Sequence, residues 1–423
     1  MNISRLSFLA FALLAAACSS VAPAPPVPSG VVPAWVELGP DGALVRALTP
    51  SSACPELTVD GQVRSMRVRA AATAPDYPIT ACEAALPAAA RSASVGGQAL
   101  ALPVASPRRI LVIGDTGCRM EAPSDFQACN DPAAWPFARV AARTAAWKPD
   151  VIVHLGDYHY RESPCPAGNT GCAGNPSGYN WASWQSDFFG PAAPLLRAAP
   201  WIVIRGNHEA CNRAGEGWFR FLETRPRPSQ CTDDTAAYVL RLGAVSLAVI
   251  DSAPASDTKA EPKEVARYQA QLAAIAKTTP PYTWLATHRP VWAGVNIGGP
   301  PNQPTLATGN ATLQAAMPRG LPGTVGLLLA GHVHLFEALG FGESRPPIMV
   351  VGNSGTLLDG DIPQSLVGMS FDGQPATTAK LLHQFGYVTM EPAGADWKAT
   401  VHAVDGSTLT VCTIARRAIT CTP

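Results

Sequence analysis

Between residue 108 and about 358 the chain repeatedly builds a short apolar run and then breaks it with glycine and a polar group. The runs are ILVI, VIVHL, WIVI, YTWLA and GLLLA, and runs of this length read as strands. Helical segments, such as residues 135–147 and 262–277, alternate with them, which predicts an α/β core. Ahead of it, in residues 31–107, AWVEL, ALVRAL, ELTV and QVRSMRVRA alternate or are β-rich and are broken by Gly-Pro-Asp-Gly and Asp-Gly turns, so a small β domain is expected. The tail holds YVTME, WKATVHAV, STLTVCTI and RAITC with Asp405-Gly406 as a turn signal, so it should form strands that extend or cover a sheet.

Polar motifs sit where these strands end: GDTG (114–117), GDYHY (156–160), GNHE (206–209), TH (287–288) and GHVH (331–334). Strand ends that share one sheet edge gather their side chains, here Asp, Asn, Tyr and His, a mixture that suits two metal ions holding a reactive oxygen. Asp115 is a hard oxygen donor, and Gly117 leaves space where a second ligand could stand; alone, this motif would read as an Asp-Gly turn. Asp157 has two oxygens and can bridge two cations. Tyr160 is an unusual ligand: a phenol with a pKa of about 10 needs a strongly Lewis-acidic ion, such as Fe(III), to bind as phenolate near neutrality. Asn207 offers an amide oxygen, His208 an imidazole beside it, and His288, His332 and His334 complete the set. A single histidine on an apolar strand is usually packed or capped, but four of the chain's eight, His208, His288, His332 and His334, stand as candidates in these motifs. His154 reads as core, His159 is not expected at the site, and His383 and His402 carry no assignment.

The formal net charge is zero with 15% charged residues, so no field draws the chain to nucleic acid. Residues 1–18 read as an export signal ending in Leu14-Ala-Ala-Ala-Cys18, which predicts either lipid attachment at Cys18 or plain cleavage after Ala-x-Ala. Residues 19–30 then form a Pro/Ala tether. Eleven cysteines less Cys18 leave ten, which pair as sequence neighbours into five local disulfides: Cys54/Cys82, Cys118/Cys129, Cys165/Cys172, Cys211/Cys231 and Cys412/Cys421. The pinned loops 161–180 and 211–231 should rim the site.

Taken together, GDxG, GDxxY, GNH(D/E), the His after a strand, and GHxH resemble the metallophosphoesterase (calcineurin-like) superfamily. Gly117, where most relatives place a His, and Tyr160 resemble its purple acid phosphatase branch. The resemblance runs from residue 109 to about 358, where GNSG (352–355) resembles the glycine turn closing the domain. It implies a four-layer αββα sandwich with a small N-terminal β domain, the catalytic domain taking residues 108–423. It implies one metal held by Asp115, Asp157, Tyr160 and His334 and a second held by Asp157, Asn207, His288 and His332: Fe(III) plus a divalent Fe, Zn or Mn. The implied reaction is hydrolysis of phosphate esters by hydroxide that the two cations make available, with His208 orienting the phosphate and Glu209 holding His208 from behind. One departure stands out. Where larger members carry further histidines after the strand-end His, this chain reads His288-RPVWAGVN, with Arg289 bracing the turn. The competing readings are a phosphodiesterase or nucleotidase with a non-purple metal pair, and a metal-free scaffold of the same fold, which should have lost ligands. Expected partners are a phosphate ester and, through a lipid anchor only, the membrane; the oligomeric state is left open.

Overall fold

The computed structural model describes residues 33–422 apart from 124, 281, 298–304, 318, 319, 361, 362 and 364. The export signal, Cys18 and the tether at 19–30 lie outside the described residues.

Eighteen strands make the two large sheets. The N-terminal region gives β1 (Ala34–Gly39), β2 (Gly42–Thr49), β3 (Arg67–Ala70) and β4 (Thr80–Ala85). The first three apolar runs give β5 (Ile110–Ile113), β6 (Val151–His154) and β7 (Trp201–Val203). The second half gives β8 (Tyr238–Leu242), β9 (Val245–Val249), β10 (Thr283–Ala286), β11 (Val325–Ala330), β12 (Phe336–Gly340), β13 (Ile348–Val351) and β14 (Thr378–Leu382). The tail gives β15 (Gly386–Ala393), β16 (Asp396–Ala403), β17 (Thr408–Ala415) and β18 (Ala418–Cys421).

The first sheet has eleven strands in the order β18-β17-β16-β15-β5-β6-β7-β1-β2-β4-β3, and the second has seven in the order β8-β9-β10-β11-β13-β12-β14. β5, β6 and β7 run parallel, as do β9, β10, β11 and β13, so within each sheet the motif-bearing ends point the same way. The tail extends the first sheet, β15 pairing antiparallel with β5. The N-terminal strands join that sheet through β1, which lies parallel to β7 with Glu37 opposite Trp201.

Alternation along the strands decides the layers. Ile110, Val112, Val151 and Val153 from the first sheet meet Val249, Trp284, Leu329 and Val351 from the second in a central apolar layer. On the far side of the first sheet, Leu111, Ile152 and Val203 pack against Phe137 and Val140 of α1 (Phe137–Trp147). On the far side of the second, Leu285, Leu328 and Val350 pack against Tyr268, Leu272 and Ile275 of α2 (Pro262–Thr278), and Leu313 of α3 (Ala311–Ala316) joins them. The fold is the expected αββα arrangement. α1 starts two residues later than the apolar pattern suggested because Pro136 stands immediately before its first turn.

All five expected disulfides are present: Cys54–Cys82, Cys118–Cys129, Cys165–Cys172, Cys211–Cys231 and Cys412–Cys421. The last joins directly opposed residues of β17 and β18.

Candidate metal centre

The motif ends converge because the chain turns sharply as it leaves each strand. Asp115, Asp157 and His332 adopt left-handed backbone angles, with φ of 55°, 58° and 73°. Non-glycine residues seldom take these angles, and they persist only where surrounding contacts enforce them. Here the enforcement is visible. The N–H groups of Asp115 and Thr116 donate to the carbonyls of Gly156 and Asp157, both at 3.0 Å, zipping the first two motif loops together. The Glu209 carboxylate accepts the backbone N–H groups of Asp157 (3.1 Å), Tyr158 (2.9 Å), His159 (3.1 Å) and Gly206 (3.1 Å). Glu209, expected behind His208, is thus the clamp of the GDYHY loop instead, because its short 3-10 turn aims the side chain back at the end of β6.

The Tyr160 phenol oxygen lies 3.0 Å from Asp115 Oδ1, 2.9 Å from Asp157 Oδ2 and 3.0 Å from His334 Nε2. A Cβ at position 117 would stand 2.9 Å from Cδ2 of the Tyr160 ring and 2.8 Å from the Tyr158 carbonyl oxygen, so the ring occupies the volume that glycine leaves open. Burial first, then the carboxylates of Asp115 and Asp157, push the phenol well above its usual pKa. Only a strong cation against its oxygen brings it to phenolate.

Across Asp157, His288 donates from Nδ1 to the Leu155 carbonyl at 2.8 Å, which turns Nε2 to Asp157 Oδ2 (3.1 Å) and Asn207 Oδ1 (3.0 Å). Two sets of ligand atoms each close to within 4.8 Å: Asp115, Asp157 and His334, and Asp157, His288 and His332. Asp157 belongs to both. The structure therefore brings together Asp115, Asp157, Tyr160, Asn207, His288, His332 and His334. The donors are oxygens and imidazoles, a set that suits first-row ions. With protein groups alone, the carboxylates recruit positive charge. Burial by itself lowers the pKa of His288, but Asp157 and then Asp115 raise it to about 9, and Asp359 and Asp115 likewise raise buried His334 to about 10. A cluster that draws protons onto two imidazoles fits cations.

His208 borders both sets. Its backbone N–H donates to Asp157 Oδ1 at 2.9 Å, its ring centroid lies 3.9 Å from that of Tyr160, and its Nε2 is 3.9 Å from Asp157 Oδ2. Its Nδ1 is held at 2.9 Å by Glu162, which Arg213 Nε grips at 2.7 Å. Burial lowers the pKa of His208 to about 4. The near ends of both disulfide-pinned loops thus reach His208 through Glu162 and Arg213. His159 points away, its Nε2 3.1 Å from the Gly178 carbonyl, and His154 packs on Tyr158 at 3.9 Å between ring centroids.

Four polar residues around the centre carry no motif. Besides Glu162 and Arg213 these are Asp257, whose Oδ2 lies 3.1 Å from His332 Nε2, and Asp359, whose Oδ1 lies 3.3 Å from His334 Nδ1. Glu162 follows Tyr160 by two positions in a loop expected to rim the site, a local signal of its place; Asp257 and Asp359 stand in loops with no such signal. Arg289 reaches past its own turn to pair with Asp257, and its Nη1 lies 3.0 Å from His332 Nε2.

Comparison with known proteins follows the same lines. The calcineurin-like phosphoesterase family model matches residues 108–336, more than half of the chain. A purple acid phosphatase, PPD1 from yellow lupin (Lupinus luteus) seeds, is 15% identical with a TM-score of 0.57 over 91% of this chain and 74% of its own. PhoD is 14% identical with a TM-score of 0.56 over 92% of this chain and 91% of its own. At these identities the likeness is one of fold. A search of curated proteins gave no match.

Proposed function

The chain belongs to the calcineurin-like phosphoesterase family and is a hydrolase of phosphoric esters; from that premise we propose that it is an exported phosphatase of the purple acid phosphatase type, working with two metal ions. The observation that carries this reading is the Tyr160 phenol oxygen, within 3.0 Å of Asp115, Asp157 and His334, in the space kept open by Gly117. Asp115, Asp157, Tyr160 and His334 would hold Fe(III), and Asp157, Asn207, His288 and His332 a divalent Fe, Zn or Mn. Bound there, such a pair supplies charge neutralisation for the phosphoryl oxygens and acidity for water.

The rest falls to the protein. Glu162, held by Arg213, takes the Nδ1 proton of His208 and fixes the ring so that Nε2 faces the shared carboxylate. In the free chain burial keeps His208 neutral, with a pKa of about 4. A phosphate dianion beside the ring favours the imidazolium, so His208 aligns the ester and passes a proton from Nε2 to the leaving oxygen. Glu209 keeps Asp157 aimed at both ligand sets by holding the backbone on either side of it.

Five disulfides point to an oxidising compartment, and among the described residues no helix is long and apolar enough to cross a membrane. We place the protein in a bacterial periplasm or cell envelope, tethered by lipid at Cys18, with residues 31–107 as a small β domain and 108–423 as the catalytic domain. Metal analysis of the purified full chain, with a panel of phosphate mono- and diesters, tests the function. The expected result is two metals per chain, one of them iron, a visible phenolate band, and turnover of a chromogenic ester. An active, colourless protein carrying only zinc or manganese would overturn the purple acid phosphatase reading.

A further inference from the structure

The two histidines of GHVH belong to different ligand sets, and each is backed by a carboxylate from a distant loop. His334 donates its backbone N–H to Asp359 Oδ2 at 2.8 Å and sets Nδ1 3.3 Å from Asp359 Oδ1, which leaves Nε2 for Tyr160 and Asp115. His332 is the mirror case: its Nε2 lies 3.1 Å from Asp257 Oδ2. Asp257 is itself fixed, Asn310 Nδ2 donating to Oδ1 at 2.7 Å while Asn310 Oδ1 accepts the Leu313 N–H at the start of α3 at 2.8 Å. Neither carboxylate is in the sets whose atoms close to within 4.8 Å, so neither stands among the ligands.

An imidazole has one proton to place when neutral, and only the bare nitrogen can hold a metal. We propose that Asp257 and Asp359 are positioning residues that choose opposite ring nitrogens: Asp359 takes the Nδ1 proton of His334 and frees Nε2, while Asp257 takes the Nε2 proton of His332 and frees Nδ1. This rests on the two-metal reading above. Arg289 makes the choice at His332 a contest, because its Nη1 is 3.0 Å from the same Nε2. A guanidinium can only donate, so if it engaged Nε2 the proton would move to Nδ1 and the ring would lose its metal-facing lone pair. By pairing with Arg289, Asp257 occupies the guanidinium and keeps the Nε2 proton for itself.

The test uses the full chain stripped of metal and reconstituted with Fe(III) and Zn(II). Zinc is counted directly, the phenolate band reports the Tyr160 set, and thermal melting checks the fold. Asp257→Ala should weaken zinc binding about 10- to 100-fold and leave the band in place, while Asp359→Ala should weaken iron binding and the band by a similar factor. Asp257→Asn, which keeps an acceptor for Nε2–H, should lie between wild type and Asp257→Ala. Arg289→Ala added to Asp257→Ala should recover part of the lost zinc affinity, an outcome that simple loosening of the loop does not give. If the unmodified chain fails to take up two metals, the two-metal reading fails and takes this inference with it. If it takes up two and both alanine variants bind both as tightly, or each variant loses both equally, the positioning role alone is wrong.

Discussion

The two ligand sets share Asp157 and come from the same ladder of motifs, yet one is sealed and the other is open. In the first, Tyr160 is fully buried, as is Asp115, and the His334 side chain is 5% exposed. In the second, His288 is fully buried, but the His332 side chain is 22% exposed and Asp257 behind it 38%, against 28% for Asp359 behind His334. On the side of position 117 the sealed set has no room beside Tyr160, since a single methyl group there already meets the ring. The open set is bordered by Asp257 and Arg289, which both reach the His332 ring. Retaining a metal and admitting an ester are opposite demands, and on the two-metal proposal the two sets would divide them.

The most severe way to break this comparison is Asp157→Ala, which removes the one residue common to both sets. Activity should fall to background and both metals should leave; a variant that keeps one metal tightly would mean the sets are independent. Next, His208→Ala should retain both metals and slow turnover by about 10²–10⁴, as removal of a proton-transfer group does. Loss of metal on a par with the Asp157 variant would sink the division between ligands and substrate residues. Gly117→Ala should act on the sealed set alone, shifting the phenolate band and weakening that metal about tenfold or more through misplacement of the Tyr160 ring. Equal weakening of both metals would contradict the separation.

The mildest change leaves both sets alone and tests the scaffold. Glu337 of β12 is fully buried, its carboxyl accepting the Gly294 N–H at 3.0 and 3.2 Å, and burial raises its pKa from the usual 4.5 to about 8. Between those values the folded chain holds a proton that the unfolded chain has released, so stability falls as pH rises through that window and is level above it. Glu337→Gln should therefore match wild type below about pH 4.5 and exceed it by on the order of a few kcal/mol above pH 8. Parallel stability curves across the window would show that Glu337 is not protonated in the fold.

Much of this was legible in the chain because strand ends and turn glycines are local signals. The runs before Asp115, Asp157 and Asn207 became β5, β6 and β7, and the cysteines paired with their neighbours, since short loops close most easily. What escaped was set by long-range contact. Nothing near Glu37 announces that β1 will lie beside Trp201 and carry the N-terminal strands onto the first sheet. Glu209 was tied to its sequence neighbour His208, but the 3-10 turn sends it to the loop after β6. Asp257 is 75 residues from the histidine it faces, and no spacing rule spans that distance.

The packing of Gly117 against Tyr160 also constrains how this chain can change over generations. A side chain at 117 and the ring at 160 claim one volume, so replacing the glycine by any larger residue costs the tyrosine its place. Replacing Tyr160 first empties the sealed set of a donor without supplying another. The two positions are therefore coupled by geometry, and on the proposed ligand roles a lineage carrying this glycine and tyrosine keeps its choice of metal unless both change together.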